Sequence, residues 1–149
     1  DNSPKTVEVV PSRSIPQGIS AILSFNAEQD LATNAREMDG ALESVRTAEV
    51  TTAERSTTVK GVSVEPGQLI GLLERELVAA GDDLGEVVAS VLSEAEVSPG
   101  ELVTLYSGDR ITADEADLVV QKVAGAFEGV EIELVEGGQP HYHFIISIE

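Results

Sequence analysis

The sequence predicts a mixed α/β fold, with a layered βαβ unit on a mixed sheet and a small antiparallel β-meander. Three observations predict it. Amphipathic helical patterns alternate with short β-branched runs towards both ends of the chain. A Thr- and Val-rich stretch between them, Thr47 to Ala80, is divided by Gly and Pro. The last third has the order strand, helix, strand, strand, and its β-α-β part predicts two parallel strands joined by a helix.

The composition is that of a folded and strongly acidic chain. Its 149 residues include 9 Lys and Arg against 27 Asp and Glu, a formal net charge of −18. This charge disfavours nucleic acid and anionic membrane surfaces. The chain has no Cys, which excludes a disulfide, a thiolate metal site and a Cys nucleophile. No run of 18 apolar residues is present, so we expect no membrane insertion and a cytoplasmic location.

Residues 1–46 are expected to contain a strand, a loop and helices that complete an α/β unit of a longer parent chain. The β-branched run Val7–Val10 predicts a buried strand. Because it has no earlier partner and the sequence begins with Asp1 rather than Met, we interpret the chain as a piece of a longer protein. Two prolines exclude regular structure in the loop that follows, and a short helix is predicted over Gln17–Phe25.

A second helix is predicted after Asn26, because Asn26 and Gln29 have the spacing of a capping box. Its apolar residues repeat at helical spacing and are expected to face the core: Leu31, Ala35, Met38, Leu42 and Val45.

Residues 47–81 are predicted to form the β-meander. Its strands are expected over Thr47–Val59, Gly61–Val64, Gln68–Leu73 and Glu76–Ala80. The last turn would be Glu74-Arg75, which is not a favoured hairpin dipeptide. A continuous helix over Pro66–Ala80 is therefore a competing interpretation.

Residues 82–149 are predicted to form a C-terminal αβαββ unit, and we expect all three regions to make one compact fragment. Asp82 or Asp83 can cap the first helix, and Thr112 with Glu115 forms a capping box for the second. The strands are predicted over Leu102–Tyr106, Val130–Leu134 and Tyr142–Ile148. Carboxyl ends of parallel strands meet at one edge, so Tyr106–Asp109 and Glu136–Gln139 are expected at one rim.

Two loops carry the candidate binding residues. The first follows the predicted first strand and can bind an anion or form a docking loop. The second contains paired glycines, which indicate a positive φ or a close backbone approach and form either a tight turn or part of a partner surface. The predicted partner- or ligand-binding residues are Ser12, Arg13, Ser14, Gln17, Gly137, Gly138 and Gln139.

Other chemistry is weakly indicated. His141 and His143 can supply two ligands of a metal site, but no third ligand follows from spacing, so we predict no metal site. Asp114, Glu115 and Asp117 lie in the first turn of a helix, where carboxylates are favoured for electrostatic reasons. No nucleophile and base can be paired from the sequence, and we predict no catalytic residue.

Several segments resemble one family. Val9–Ile19 with Ala21–Asn26 is similar to a signature of bacterial DAK-domain proteins, the dihydroxyacetone-kinase-like proteins that form the ATP-binding subunit of fatty acid kinase. The ending, Gly137–Pro140 with Tyr142 and Ile145–Glu149, is similar to the family's C-terminus. Thr57–Gly61 and Gly67–Gly71 fit between them, so the resemblance covers nearly the whole chain. Glu74-Arg75 departs from the family's glycine-containing turn.

The resemblance implies that ATP and Mg²⁺ bind a kinase domain outside this chain, and that this chain needs no cofactor. It implies a non-catalytic, C-terminal interaction domain that docks a DegV-like fatty-acid-binding carrier protein for acyl phosphate formation. The rest of the parent chain is a further expected partner, and a homodimer is possible. Two alternatives stay open. One is an α/β domain binding a small ligand or phosphometabolite at Ser12, Arg13 and Gly108; the other is an autonomous phosphatase or hydrolase.

Overall fold

The computed structural model describes residues 5–59 and 61–149. Contacts divide the chain into two units, Asp1–Val45 and Arg46–Glu149, each of which is considered by itself. The first contains two helices, α1 (Ile15–Leu23) and α2 (Leu31–Glu43). The second contains all eight strands of the described chain and two further helices. The predicted mixed α/β class is confirmed.

The first unit differs from the prediction in two places. Val7–Val10 forms no strand, and Val7 and Val9 are 74% and 80% exposed. A β-branched run becomes a strand only when a neighbour completes its hydrogen-bond ladder, and no strand of the described chain does so here. The short helix after the proline-containing loop is confirmed, and it begins at Ile15, two residues before the predicted start.

The cap of α2 is Asp30 and not Asn26. The Asp30 side chain accepts a hydrogen bond from the Thr33 amide at 2.8 Å. Asn26 instead turns the chain, because its side chain accepts from the Glu28 amide at 2.9 Å. The buried Asn34 side chain fixes this turn: Oδ1 accepts from the Asn26 amide at 2.7 Å, and Nδ2 donates to the Asn26 carbonyl at 2.8 Å. The capping-box interpretation at Asn26 was therefore wrong.

The second unit is built on a six-stranded sheet of order β5-β4-β1-β8-β6-β7. All pairs are antiparallel except β6 and β7, which are parallel as predicted. A separate two-stranded antiparallel sheet contains β2 and β3. The strands are β1 Arg46–Thr52, β2 Thr57–Val59, β3 Val62–Val64, β4 Leu69–Leu73, β5 Glu76–Gly81, β6 Leu102–Ser107, β7 Glu131–Glu136 and β8 Tyr142–Ile148.

The predicted meander is divided between the two sheets. The first predicted strand, Thr47–Val59, is interrupted at residues 53–56 and forms β1 and β2. Strands β1, β4 and β5 join the large sheet, where Ala48 pairs with Leu73. The hairpin between β4 and β5 is confirmed, and the helix over Pro66–Ala80 is excluded. Glu74 and Arg75 make its turn with φ values of 47° and 69°, a conformation that non-glycine residues adopt infrequently.

Helices α3 (Leu84–Glu94) and α4 (Ala113–Ala126) pack on one face of the large sheet. Asp83 caps α3, and Thr112 with Glu115 forms the predicted capping box of α4. Their buried side chains join those of the sheet in one core, whose fully buried members include Val88, Val91, Leu92, Val103, Leu105, Val123, Phe144, Ile146 and Ile148. A smaller apolar cluster of Ala53, Val64 and Leu77 joins β3 to β5.

Candidate functional site

The loop before α1 is held by a helix cap. Ser14 Oγ accepts a hydrogen bond from the Gln17 amide at 3.3 Å, and Gln17 Oε1 accepts one from the Arg13 amide at 2.9 Å. Gln17 Nε2 also donates to the Leu42 carbonyl of α2 at 3.3 Å. Ser14 and Gln17 therefore have structural roles, whereas Ser12 and Arg13 are exposed and can meet a partner.

The same helix has an outward apolar face, defined by Ile15, Ile19, Ile22 and Leu23. Their i, i+4, i+7, i+8 spacing places them on one side of α1. Ile15, Ile22 and Leu23 are 57%, 70% and 80% exposed, and Ile19 is half-buried. The sequence carries this spacing, but our helix prediction did not use it, because a sequence pattern does not tell an outward apolar face from a core-facing one. We call these four residues the α1 face.

The ends of β6 and β7 meet as predicted. The Ser107 carbonyl accepts hydrogen bonds from the Gly137 amide at 3.0 Å and from the Gly138 amide at 2.9 Å. Gln139 Nε2 donates to the Tyr106 carbonyl at 2.8 Å. The three candidate residues of this loop thus fasten it to the end of β6.

This strand-end edge is closed by the protein's own backbone. A Cβ atom at Gly108 would lie 2.0 Å from the Tyr142 carbonyl oxygen and 2.9 Å from that of Gln139. Gly108 is buried and is needed for close packing of the 137–142 segment. The space in front of it is filled, which disfavours the small-ligand hypothesis that placed a ligand at Gly108.

His143 lies beside β1 at a shift in the β1–β8 register. Its Nε2 is 2.8 Å from Thr52 Oγ1. Burial lowers the pKa of His143, and the nearby Arg110 charge lowers it further, while Glu115 acts in the opposite direction. His141 precedes β8 with a φ of 73°, so the two histidines do not share a regular strand. Within the described ranges, no three His, Asp or Glu side chains form a cluster that could hold a metal ion.

The acidic start of α4 is explained by capping. The Glu115 amide donates to Thr112 Oγ1 at 3.3 Å, and Glu115 Oε2 accepts from the Thr112 amide at 2.9 Å. Hydrogen bonds from the Thr112 side chain and backbone lower the pKa of Glu115. This carboxylate therefore stabilises the helix start and is not arranged as an acid or base.

A groove of about 230 Å³ lies between α3 and α4. Lys122 Nζ is 3.1 Å from Asp83 Oδ1 and 3.2 Å from Glu86 Oε1. The Asp83 contact is the main reason that the pKa of Lys122 is raised. Because two carboxylates already engage Lys122, the groove does not offer an anionic ligand an uncompensated positive charge.

The structure thus brings the candidate residues together in two sets. Ser12, Arg13, Ser14 and Gln17 belong to the first unit, and Gly137, Gly138 and Gln139 belong to the second. A single surface built from both sets stays a prediction.

The second unit defines a small mixed α/β domain whose strand-end edge is closed by its own loop, and the first presents an exposed apolar helix. The chain belongs to the FakA-like, C-terminal family of fatty acid kinase, which matches residues 1–149.

Relatives and one solved structure are similar to this chain. An uncharacterised Staphylococcus haemolyticus protein is 35% identical over 95% of this chain and 26% of its own length. Protein YloV of Bacillus subtilis is 30% identical over 96% of this chain and 26% of its own length. The chain thus spans about a quarter of these relatives. A fatty-acid-binding DegV family protein from Streptococcus agalactiae has a TM-score of 0.48 and 11% identity, covering 89% of this chain and 54% of that one. Of the helices in the described residues, none has the length and apolar character needed to span a membrane.

Proposed function

We propose that this chain is a non-catalytic interaction domain of fatty acid kinase, and that it docks a DegV-like carrier protein loaded with a fatty acid. Docking would bring the acyl carboxylate to ATP and Mg²⁺ held by another part of the parent protein, where acyl phosphate forms. Family membership supports a role in fatty acid kinase. The docking role rests on one observation, the exposed α1 face.

The α1 face is unusual for a surface that meets only water. Of the ten large apolar side chains that are exposed in the described residues, seven lie between positions 7 and 31. Large exposed apolar patches on soluble proteins typically bind other proteins. Phe25, 56% exposed, extends the apolar surface beyond the end of α1. Aromatic residues are enriched at the centres of protein interfaces.

Charge favours the first unit as the contact region. Residues 1–45 contain 7 acidic and 3 basic residues, whereas residues 46–149 contain 20 acidic and 6 basic residues. An apolar surface in the less charged unit can approach a partner with less electrostatic repulsion. Arg13 lies two positions before Ile15 and adds one positive charge beside the α1 face. A carrier with an apolar patch and a neutral or basic rim would fit this region.

The direct test is binding of purified chain to a purified DegV-type fatty acid carrier, measured by isothermal titration calorimetry. In one variant, Ile22→Ser and Leu23→Ser are combined. Fully burying one such side chain is worth about 1.5–3 kcal/mol, so the double change should weaken binding at least about 30-fold. Both side chains are mostly exposed in the free chain, so its unfolding temperature should change little.

Leu118→Ser is the matched control, because Leu118 is a comparably exposed leucine, at 64%, on a helix of the second unit. This variant should bind the carrier like the wild type. Absence of binding by folded wild-type chain would contradict the docking proposal. Equal losses in the control and in the α1 variant would show that the α1 face is not the contact.

A further inference from the structure

Strand β7 is an open edge of the large sheet. It pairs with β6 in one unbroken parallel register, from Leu102 opposite Glu131 to Ser107 opposite Glu136. Among the strands of the described residues, only β6 pairs with it. The opposite edge strand, β5, contacts the small hairpin through Leu77 and Val64. A further strand can therefore be added at β7.

The backbone of β7 is arranged for such an addition. The Glu131 amide donates to the Glu101 carbonyl at 2.9 Å, and the Gly137 amide donates to the Ser107 carbonyl at 3.0 Å. Because inward and outward groups alternate along a strand, the amides and carbonyls of Ile132, Leu134 and Glu136 point away from β6. These three residues offer three donors and three acceptors in a row.

The side chains of β7 indicate what kind of strand would bind. Leu134 and Val135 are 38% and 39% exposed, and they lie on opposite faces of the sheet. Glu131, Glu133 and Glu136 are exposed carboxylates on the same strand. Natural edge strands often avoid pairing through Pro, Lys or a bulge, and β7 has none of these. Its only such device is negative charge, which repels acidic strands and attracts basic ones.

We propose that β7 binds an extended segment of a partner protein in which Lys or Arg alternates with apolar residues, as a seventh strand of the sheet. Backbone hydrogen bonds to Ile132, Leu134 and Glu136 supply affinity, and the three glutamates select basic side chains. A second copy of this chain is a poorer occupant, because each copy carries a net charge of −18. This surface is separate in residues and in chemistry from the α1 face.

The test uses the full chain and a synthetic peptide with the repeat Lys-Val, blocked at both ends, with a Glu-Val peptide as its matched control. Amide hydrogen exchange is measured with and without peptide. The Lys-Val peptide should slow exchange at Ile132, Leu134 and Glu136, whereas Glu133 and Val135 already donate to β6 and should change little. The Glu-Val peptide should have no effect.

Two sets of variants separate charge from backbone. Glu131→Gln with Glu133→Gln should weaken the Lys-Val peptide at least about threefold, because two cross-strand charge pairs are lost. Asp114→Asn with Asp117→Asn removes the same charge from exposed positions on α4 and should leave peptide affinity unchanged. Leu134→Pro removes one outward amide without touching the β6 ladder, and it should abolish protection at the edge.

Equal protection by the two peptides, or protection outside β7, would overturn the proposal. An unchanged affinity in the double Gln variant would also overturn it. If the same three amides become protected with rising concentration of the chain alone, the occupant is a second copy and the basic partner is wrong. Should Leu134→Pro fail to fold, the Gln variants and the peptide pair still decide the question.

Discussion

Gly71 is the position at which the core of the second unit can be tested most sharply. It lies in β4 between Val50 and Ala79 of the neighbouring strands, under helix α3. A Cβ atom at Gly71 would lie 2.1 Å from Val91 Cγ2 and 3.3 Å from the Ala79 Cβ. Carbon atoms attract best at about 3.5–4.0 Å, so Gly71→Ala requires a displacement of more than about 1 Å.

The displacement has no easy outlet. Val91 is fully buried, and its β-branched side chain strongly prefers one rotamer in a helix. Helix α3 must therefore shift as a body or Val91 must leave its rotamer. Overpacking of this kind costs about 1–3 kcal/mol, while replacing Gly by Ala restrains the unfolded chain by only about 0.4–1 kcal/mol. We expect Gly71→Ala to lower the free energy of unfolding by about 1–2 kcal/mol.

Urea denaturation followed by far-ultraviolet circular dichroism measures this change. Gly125→Ala is the matched control in the same unit: Gly125 lies in α4, and a Cβ atom there meets nothing within 4 Å. It should raise stability by about 0.5–1 kcal/mol, as expected for Ala in a helix. If Gly71→Ala is as stable as the wild type, or if both variants are stabilised alike, the close approach of α3 to β4 is wrong.

Two further predictions concern the carboxyl-end rim. Thr112→Ala removes the capping box of α4 and should lower the free energy of unfolding by about 1 kcal/mol, whereas Thr112→Ser should restore most of it, both measured by urea denaturation. His143 has a folded-state pKa below the unfolded value of 6.5, so protons bind the unfolded chain more readily. Stability is therefore complete above the unfolded pKa and falls as the pH drops through the folded pKa. His143→Gln should flatten the thermal stability profile between about pH 7 and pH 5.5, and an unchanged slope would contradict the assignment.

The C-terminal third was largely predictable because its local and long-range signals agree. Tyr142–Ile148 is a strand with the predicted bounds, and the spacing of Thr112 and Glu115 marks the start of α4. Each element there carries its own stop and start residues, and successive elements pack on their neighbours. The rim formed by Ser107 and Gly137 followed from the parallel β-α-β order alone.

The remaining elements depend on contacts that spacing does not reveal. Val7–Val10 has strand propensity, but a strand exists only with a partner. Asn26 and Asp30 are both good cap residues, and the choice between them is made by the buried Asn34 amide, eight positions beyond Asn26. Strand propensity located β4 but did not show that it pairs with β1, because that pairing joins residues about 20–25 positions apart.

The candidate site shows the same limit. Ser14 and Gln17 stood out in the sequence, and the structure gives both of them capping roles. The α1 face was missed, although its spacing is visible, because exposure is a property of packing.

The charge distribution separates the two proposed contacts physically. Of the 27 acidic residues, 20 lie in residues 46–149, and several of them cap helices or line β7. Salt screens interactions between exposed charges over about 10 Å at 0.1 M, but it does not weaken the burial of apolar surface. Added salt should therefore slow association at the α1 face while leaving its affinity largely intact, and it should release a basic strand from β7. Because one contact depends on apolar area and the other on carboxylates, a partner that uses both would keep its apolar contact at high salt and lose the strand.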